Sequence, residues 1–273
     1  LKTVKAYFGP DIYSADLPSD GALKAINKWV NDKTNGMIPK LHDENYDKDT
    51  IMVLLNALYM KADWAHKFEG NDTYDREFAK ADGSTVTVPF MNMFEAYESY
   101  IKTEDAEGIM LPYDDGRLVF IALKPGSGDA RGYAASLTGA KLKEAIAAAK
   151  ADTFVTVNMP KFDTEYSVYL TDALKAMGMT DAFDPDLADL TGAGRGVDGP
   201  LYISYVFQKV KVDVNEEGTE AAAVTEIATA EGCALPADEP IVLTFDKPFV
   251  YAIVDTETGV PLFAGVMENP EAK

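Results

Sequence analysis

Cysteine and histidine are almost missing from this chain: Cys233, His42 and His66 are the only ones among 273 residues. A lone thiol excludes a disulfide framework and a cysteine-ligated metal cluster, and two imidazoles cannot build a multi-histidine centre. No metal site and no cofactor is expected. Positive charge is also scarce, with 25 Lys and Arg against 45 Asp and Glu and a formal charge of -20. Phosphate backbones and anionic headgroups repel such a surface, so neither nucleic acid nor membrane is an expected partner. Long apolar runs are lacking as well. The longest, Ile51–Met60, is broken by Asn56 and falls well short of the ~20 residues that span a bilayer. The chain starts at Leu1 with no signal-like apolar segment and reads as a fragment or processed product.

Enzyme signatures are missing too, and no enzyme is expected. There is no glycine-rich phosphate loop, no His-Glu-x-x-His helix and no Gly-x-Ser-x-Gly turn. Asp43, Asn45, Asp47 and Asp49 have the spacing that opens a calcium loop. Lys48, however, occupies the position that needs Gly, and Leu54 the position that needs a bidentate Glu. Cys233 with His42 or His66 would make a nucleophile only with a base and an orienting group, and Glu231–Pro236 shows no such pattern. Asn71-Asp72-Thr73 matches a glycosylation acceptor, a pattern too short to carry weight.

What is present suits a large core: 47% of residues are hydrophobic and 11% aromatic, and one domain, or at most two, is the natural expectation over 1–273. Pro18 and Ser19 open a helix whose Leu23, Ile26, Trp29 and Val30 share a face, ended by Gly36. Ile51–Lys61 is apolar on both faces, as in a strand at the centre of a sheet. Thr85–Val88 is a short β-branched strand, and Asp115-Gly116 turns a hairpin between Ile109–Tyr113 and Leu118–Leu123. Lys141–Lys150 is an alanine-rich helix, Phe154–Met159 a strand, and Thr171–Met177 a short helix stopped by Gly178. In Val206–Val214, Val206, Gln208, Val210, Val212 and Val214 face one way, with Lys209, Lys211 and Asp213 outward. Phe249–Val254 and Val260–Met267 form a closing hairpin. The class is α+β with mixed, mostly antiparallel sheets.

The segment 215–240, NEEGTEAAAVTEIATAEGCALPADEP, is ambivalent. By composition Ala221–Ala230 is helical. By period two, Thr219, Ala221, Ala223, Thr225, Ile227 and Thr229 form one uncharged face, with Glu220 and Glu226 on the other. Twelve residues of strand extend roughly 40 Å, the span of a large sheet.

Glu216-Glu217-Gly218-Thr219-Glu220-Ala221-Ala222-Ala223 resembles the hinge of an inhibitory serpin's reactive loop. Other family-like stretches follow in the expected order: Ile26–Val30 with Thr34–Gly36, Leu55–Trp64, Met110–Tyr113, Met159–Phe162, Met177–Phe183, Asp246–Phe249, and Leu262–Gly265 with Asn269-Pro270. The resemblance implies a serpin domain, lacking its N-terminal helices, with a mobile reactive loop at 215–240. It implies a monomeric suicide-substrate inhibitor of a serine protease of subtilisin, elastase or chymotrypsin type, or of a cysteine protease. An extracellular or cell-surface location goes with it. A non-inhibitory carrier or chaperone, or an inactive fragment, is the alternative. The hinge would be Glu216, Glu217, Gly218, Thr219, Glu220, Ala221, Ala222, Ala223, Val224 and Thr225. Family spacing puts the reactive bond at Gly232-Cys233, with Ala234 and Leu235 as alternatives. Trp64, Lys161 and Glu216 match the family's breach, at the top of the sheet. Asn56 and Gln208 match its shutter, where Gln208 replaces the usual histidine, so an acid trigger through that residue is not expected. Among valines, Gln208 needs a buried partner, and Asn56 is the candidate.

Overall fold

A computed structural model describes residues 9–194, 196, 199–219 and 239–271. They fall into two compact units, one built from residues up to Tyr59 with Glu165–Lys211, the other from Met60–Thr164 with the residues from Val212 onward.

In the first unit, helix α1 (Asp20–Lys33) starts where the Ser19 side chain accepts the Ala22 N–H and ends at Thr34. The buried Thr34 hydroxyl donates to the Val30 carbonyl (2.8 Å) and accepts from Ile38 N–H (3.0 Å), which folds the chain back under the helix. Val30, Ile38, Leu41 and Phe207 then form a core, with Ile26, Trp29, Leu55 and Ala57 packed against it. Strand β1 (Val53–Tyr59) pairs in parallel with β9 (Tyr205–Val214), from Val53↔Tyr205 to Tyr59↔Lys211. Helix α4 (Thr171–Ala176) ends at Gly178, whose positive φ of 99° suits glycine. Phe183, Ile203 and Val206 close a second small core against Leu170 and Leu174.

The second unit carries an eight-stranded sheet. Its strands are β3 (Tyr74–Ala79), β4 (Thr85–Lys102), β5 (Ala106–Pro112), β6 (Leu118–Pro125), β7 (Lys150–Pro160), β11 (Ile241–Thr244), β12 (Phe249–Asp255) and β13 (Val260–Met267). The order is β11-β7-β4-β5-β6-β12-β13, with β3 beside β4. All pairs are antiparallel except β11 with β7. Helices α2 (Ala130–Ser136) and α3 (Gly139–Ala147) lay Ala130, Tyr133, Leu142 and Ala145 on Ile121, Leu123, Ala252 and Val254. Strand β8 (Phe162–Tyr169) pairs with β9, and in the second unit the short strands β2 (Ala62–Asp63) and β10 (Gly218–Thr219) pair with each other. The α+β class with mostly antiparallel pairing follows directly.

Several expectations need correction. The short strand at Thr85–Val88 is the start of an 18-residue strand. Glu95 at φ 50° and register shifts near Met93 and Glu98 interrupt its alternation, which hides its length from a period-two reading. Helix α3 stops at Ala147, and Lys150 opens β7 instead of ending a helix. Within Ile51–Lys61, β1 pairs only with β9 among the described residues, and Leu54 is 37% exposed. Lys209 does not point to open solvent. It is 9% exposed, with Nζ donating to the Lys40 carbonyl (3.0 Å) and pairing with Glu165 (2.7 Å). A lysine stem can cover apolar surface while its ammonium finds partners, so alternation of charge misreads such a face.

Candidate functional site

The site is a tight turn joining β9 to β10. Asn215 N–H donates to the Gly218 carbonyl (3.0 Å), and Glu217 N–H to the Asn215 side-chain oxygen (3.0 Å). The turn docks on the segment that follows β2. Trp64 N–H donates to the Glu217 carbonyl (2.8 Å), Phe68 N–H to the Glu216 carbonyl (3.0 Å), and the Trp64 indole N–H to the Asn215 carbonyl (2.9 Å). Trp64 is 2% exposed and stacks on Tyr113 at 4.7 Å between centroids, with Phe120 meeting it edge-on at 5.5 Å. Its polar edge thus holds the turn while its faces hold the core.

Glycine is required at 218. A Cβ there would lie 2.1 Å from the Ala62 carbonyl oxygen and 2.7 Å from Asp63 Cα, both backbone atoms. Only a bare backbone can pass so close. The passage puts Thr219 in a special place. Along β9 the partner changes: Lys211 pairs with Tyr59, but Val214 pairs with Thr219. Thr219 also pairs with Ala62 on its other side. The register of β1 with β9, carried three residues on, would have paired Ala62 with Val214; Thr219 stands between them instead. Its side chain is fully buried, and its hydroxyl shares a 2.7 Å hydrogen bond with that of Tyr113. Burial pushes the Tyr113 hydroxyl's pKa up, so it stays protonated at neutral pH.

Lys161 and Glu216 do meet. Lys161 Nζ lies 2.7 Å from Glu216 Oε2 and 3.0 Å from Oε1, and the Thr73 hydroxyl donates to Oε1 (2.7 Å). The Glu216 side chain is 16% exposed, so this is more than a surface pair. Burial by itself would raise the Glu216 pKa, but the Lys161 and Thr73 hydrogen bonds outweigh it and hold the carboxyl below its usual range. A depressed carboxyl stabilises the fold above its unfolded pKa and loses that contribution as pH falls through the folded value. Glu216→Gln is therefore expected to cost about 1–3 kcal/mol at pH 7, a gap that closes in acid. Urea unfolding of both proteins at pH 7 and pH 3 reads it, and an equal gap at both would contradict it.

Asn56 and Gln208 sit directly opposite each other, with Gln208 Nε2 3.5 Å from Asn56 Oδ1. Asn56 is exposed and Gln208 half-buried, so the expectation of a buried amide pair is corrected. A long, solvated bond contributes little. Asn56→Ala is expected to change unfolding stability by no more than about 0.5 kcal/mol, which a urea titration checks.

The other sequence candidates are not gathered into a site. Asp43 pairs with Lys40, and Asn45 donates to Asp20 at 2.7 Å. His66 Nδ1 contacts Glu98 at 2.7 Å, and His42 packs on Phe207 and Tyr46. Glu220, Ala221, Ala222, Ala223, Val224, Thr225, Gly232, Cys233, Ala234 and Leu235 lie outside the described residues. Thr73, Tyr113 and Lys67, which join the site, escaped sequence reading because no local pattern marks a partner found 106 to 150 residues away.

A family model described as Serpin (serine protease inhibitor) matches residues 1–270. Serpin B10 of Otolemur garnettii is 35% identical over 276 residues, covering 99% of this chain and 68% of that protein. Iripin-5 of Ixodes ricinus is 35% identical over 273 residues, covering 98% of this chain and 67% of its own length. The crystal structure of the thermophilic serpin tengpin in its native state superposes with a TM-score of 0.87 at 35% identity, over 97% of this chain and 67% of that one. Thyroxine-binding globulin in complex with thyroxine gives 0.84 at 27% identity, over 99% and 70%. Motif order, sheet topology and these similarities agree: the chain belongs to the serpin family.

Proposed function

We propose that the protein is a suicide-substrate inhibitor of serine proteases, and that the segment beginning at Thr219 is its bait. The observation carrying this is the place of Thr219: a buried residue paired on both sides, at the head of a sequence that can continue as a strand. With Thr219 inward, Ala221, Ala223, Thr225, Ile227 and Thr229 share its face by strand alternation, and none is charged.

The protease nucleophile attacks the carbonyl at the reactive bond, Gly232-Cys233 in the family's spacing, and forms an acyl-enzyme. The downstream peptide leaves, and the freed segment adds residues between the strands behind Thr219, carrying the protease with it. Distortion then removes oxyanion donors needed for deacylation, and losing one such donor costs about 10²–10³ in rate. Inhibition is a race between insertion and hydrolysis. Glu216, Gly218 and Trp64 keep the entry turn docked, so insertion begins from a formed rung and avoids a costly nucleation step. A small residue at the acyl side suits elastase- or subtilisin-like pockets, and Leu235 a chymotrypsin-like one. Thyroxine-binding globulin is described with bound thyroxine, so carriage is the second reading. The uncharged face after Thr219 favours inhibition.

The test is a panel of serine proteases mixed with the protein as encoded and run on a denaturing gel. A band that survives denaturant at the summed mass, less the released C-terminal peptide, is expected. Clean cleavage by every protease with no such band favours carriage.

A further inference from the structure

Glu216 and Glu217 are neighbours in the turn, and each carboxylate finds its own lysine. Lys161 takes Glu216; Lys67 Nζ lies 2.6 Å from Glu217 Oε2 and 3.3 Å from Asp63 Oδ2. Asp63 is the residue whose backbone pairs with Gly218. Lys67 therefore bridges the strand that receives the hinge and the turn that presents it. The hydrogen bonds with Glu217 and Asp63 raise the Lys67 pKa, so its charge is secure at neutral pH. The Lys67 side chain is 44% exposed and that of Glu217 21%.

We propose that Lys67 is a second positioning residue for the hinge, a salt-sensitive clamp that keeps the turn docked and Thr219 in register. Two backbone bonds report docking directly, Trp64 N–H to Glu217 and Phe68 N–H to Glu216. Each time the turn undocks, both amides open to solvent. An ion pair of this exposure shifts the docked population by about two- to fivefold. Its consequence for inhibition rests on the inhibitor reading above, because an undocked turn starts insertion late and loses the race to hydrolysis. The docking itself does not depend on that reading.

The experiment compares wild type, Lys67→Met, Lys67→Arg and Glu217→Gln, with methionine keeping the apolar stem. Hydrogen exchange at the Trp64 and Phe68 amides is expected to quicken about two- to fivefold in Lys67→Met and Glu217→Gln at low salt. No further change is expected in the double variant, and Lys67→Arg restores protection. The difference disappears near 1 M salt, where the Debye length is about 3 Å. The fraction of protease trapped falls by the same factor. Unchanged exchange in Lys67→Met at every salt concentration overturns the clamp. Faster exchange with no adduct from wild type keeps the clamp and overturns the inhibitor reading.

Discussion

Under the proposed trapping mechanism, Thr219→Arg is expected to turn the protein into a plain protease substrate. The threonine side chain is fully enclosed and its hydroxyl is bonded to Tyr113, so an arginine there either buries an unpaired charge or expels β10 from between Ala62 and Val214. An uncompensated buried charge costs about 3–5 kcal/mol. At roughly 1.4 kcal/mol per tenfold, the partition between trapping and turnover moves by at least about 100-fold toward turnover. Cleavage at the loop itself is expected to continue at the wild-type rate. The number of inhibitor molecules consumed per protease inactivated reads the effect, and Thr219→Ser, which keeps the hydroxyl, is the control. An arginine variant that traps as well as wild type would mean that the rung at Thr219 plays no part in insertion.

The second large effect is at Trp64. Its ring is enclosed by Tyr113, Phe120 and Phe68, and its indole N–H holds the turn at Asn215. Trp64→Ala is expected to lower unfolding stability by about 3–5 kcal/mol through the cavity alone. It also leaves the Asn215 carbonyl without that donor, so the turn that joins β9 to β10 loosens together with the core. Trp64→Phe separates the two: it keeps most of the packing and removes the N–H, at a cost of about 1 kcal/mol. Guanidinium unfolding of the three proteins gives the ladder. A loss below about 1 kcal/mol for alanine would show that the ring is not a keystone of this end of the sheet.

The parts legible in the sequence were those governed by local chemistry. Ser19 opens α1, and Gly116 and Gly178 take the positive φ that their turns need. The order of family-like stretches was legible as well, and with it the contact of Lys161 with Glu216. What stayed hidden follows from long-range geometry. The full length of β4 was masked by a bulge at Glu95, which breaks the alternation that a strand reading depends on. Alternation puts Lys209 on the face opposite the valines, but its partners, the Lys40 carbonyl and Glu165, are distant in the chain and invisible to local pattern. Gly218 belongs to the family-like stretch 216–223, but the reason glycine is needed there, the Ala62 carbonyl at what would be 2.1 Å from a Cβ, belongs to the fold alone. Asn56 and Gln208 were matched correctly as opposite residues, yet their exposure could not be read from a face of valines.

Amide exchange on loop-cleaved protein tests the central idea most directly. A protease that cuts near Gly232 without being trapped supplies the cleaved form, and exchange is followed residue by residue from Glu220 to Thr229. New protection across these amides, rising toward that of β9, is the outcome expected if the released segment becomes a strand behind Thr219. Exchange as fast after cleavage as before it would contradict the account.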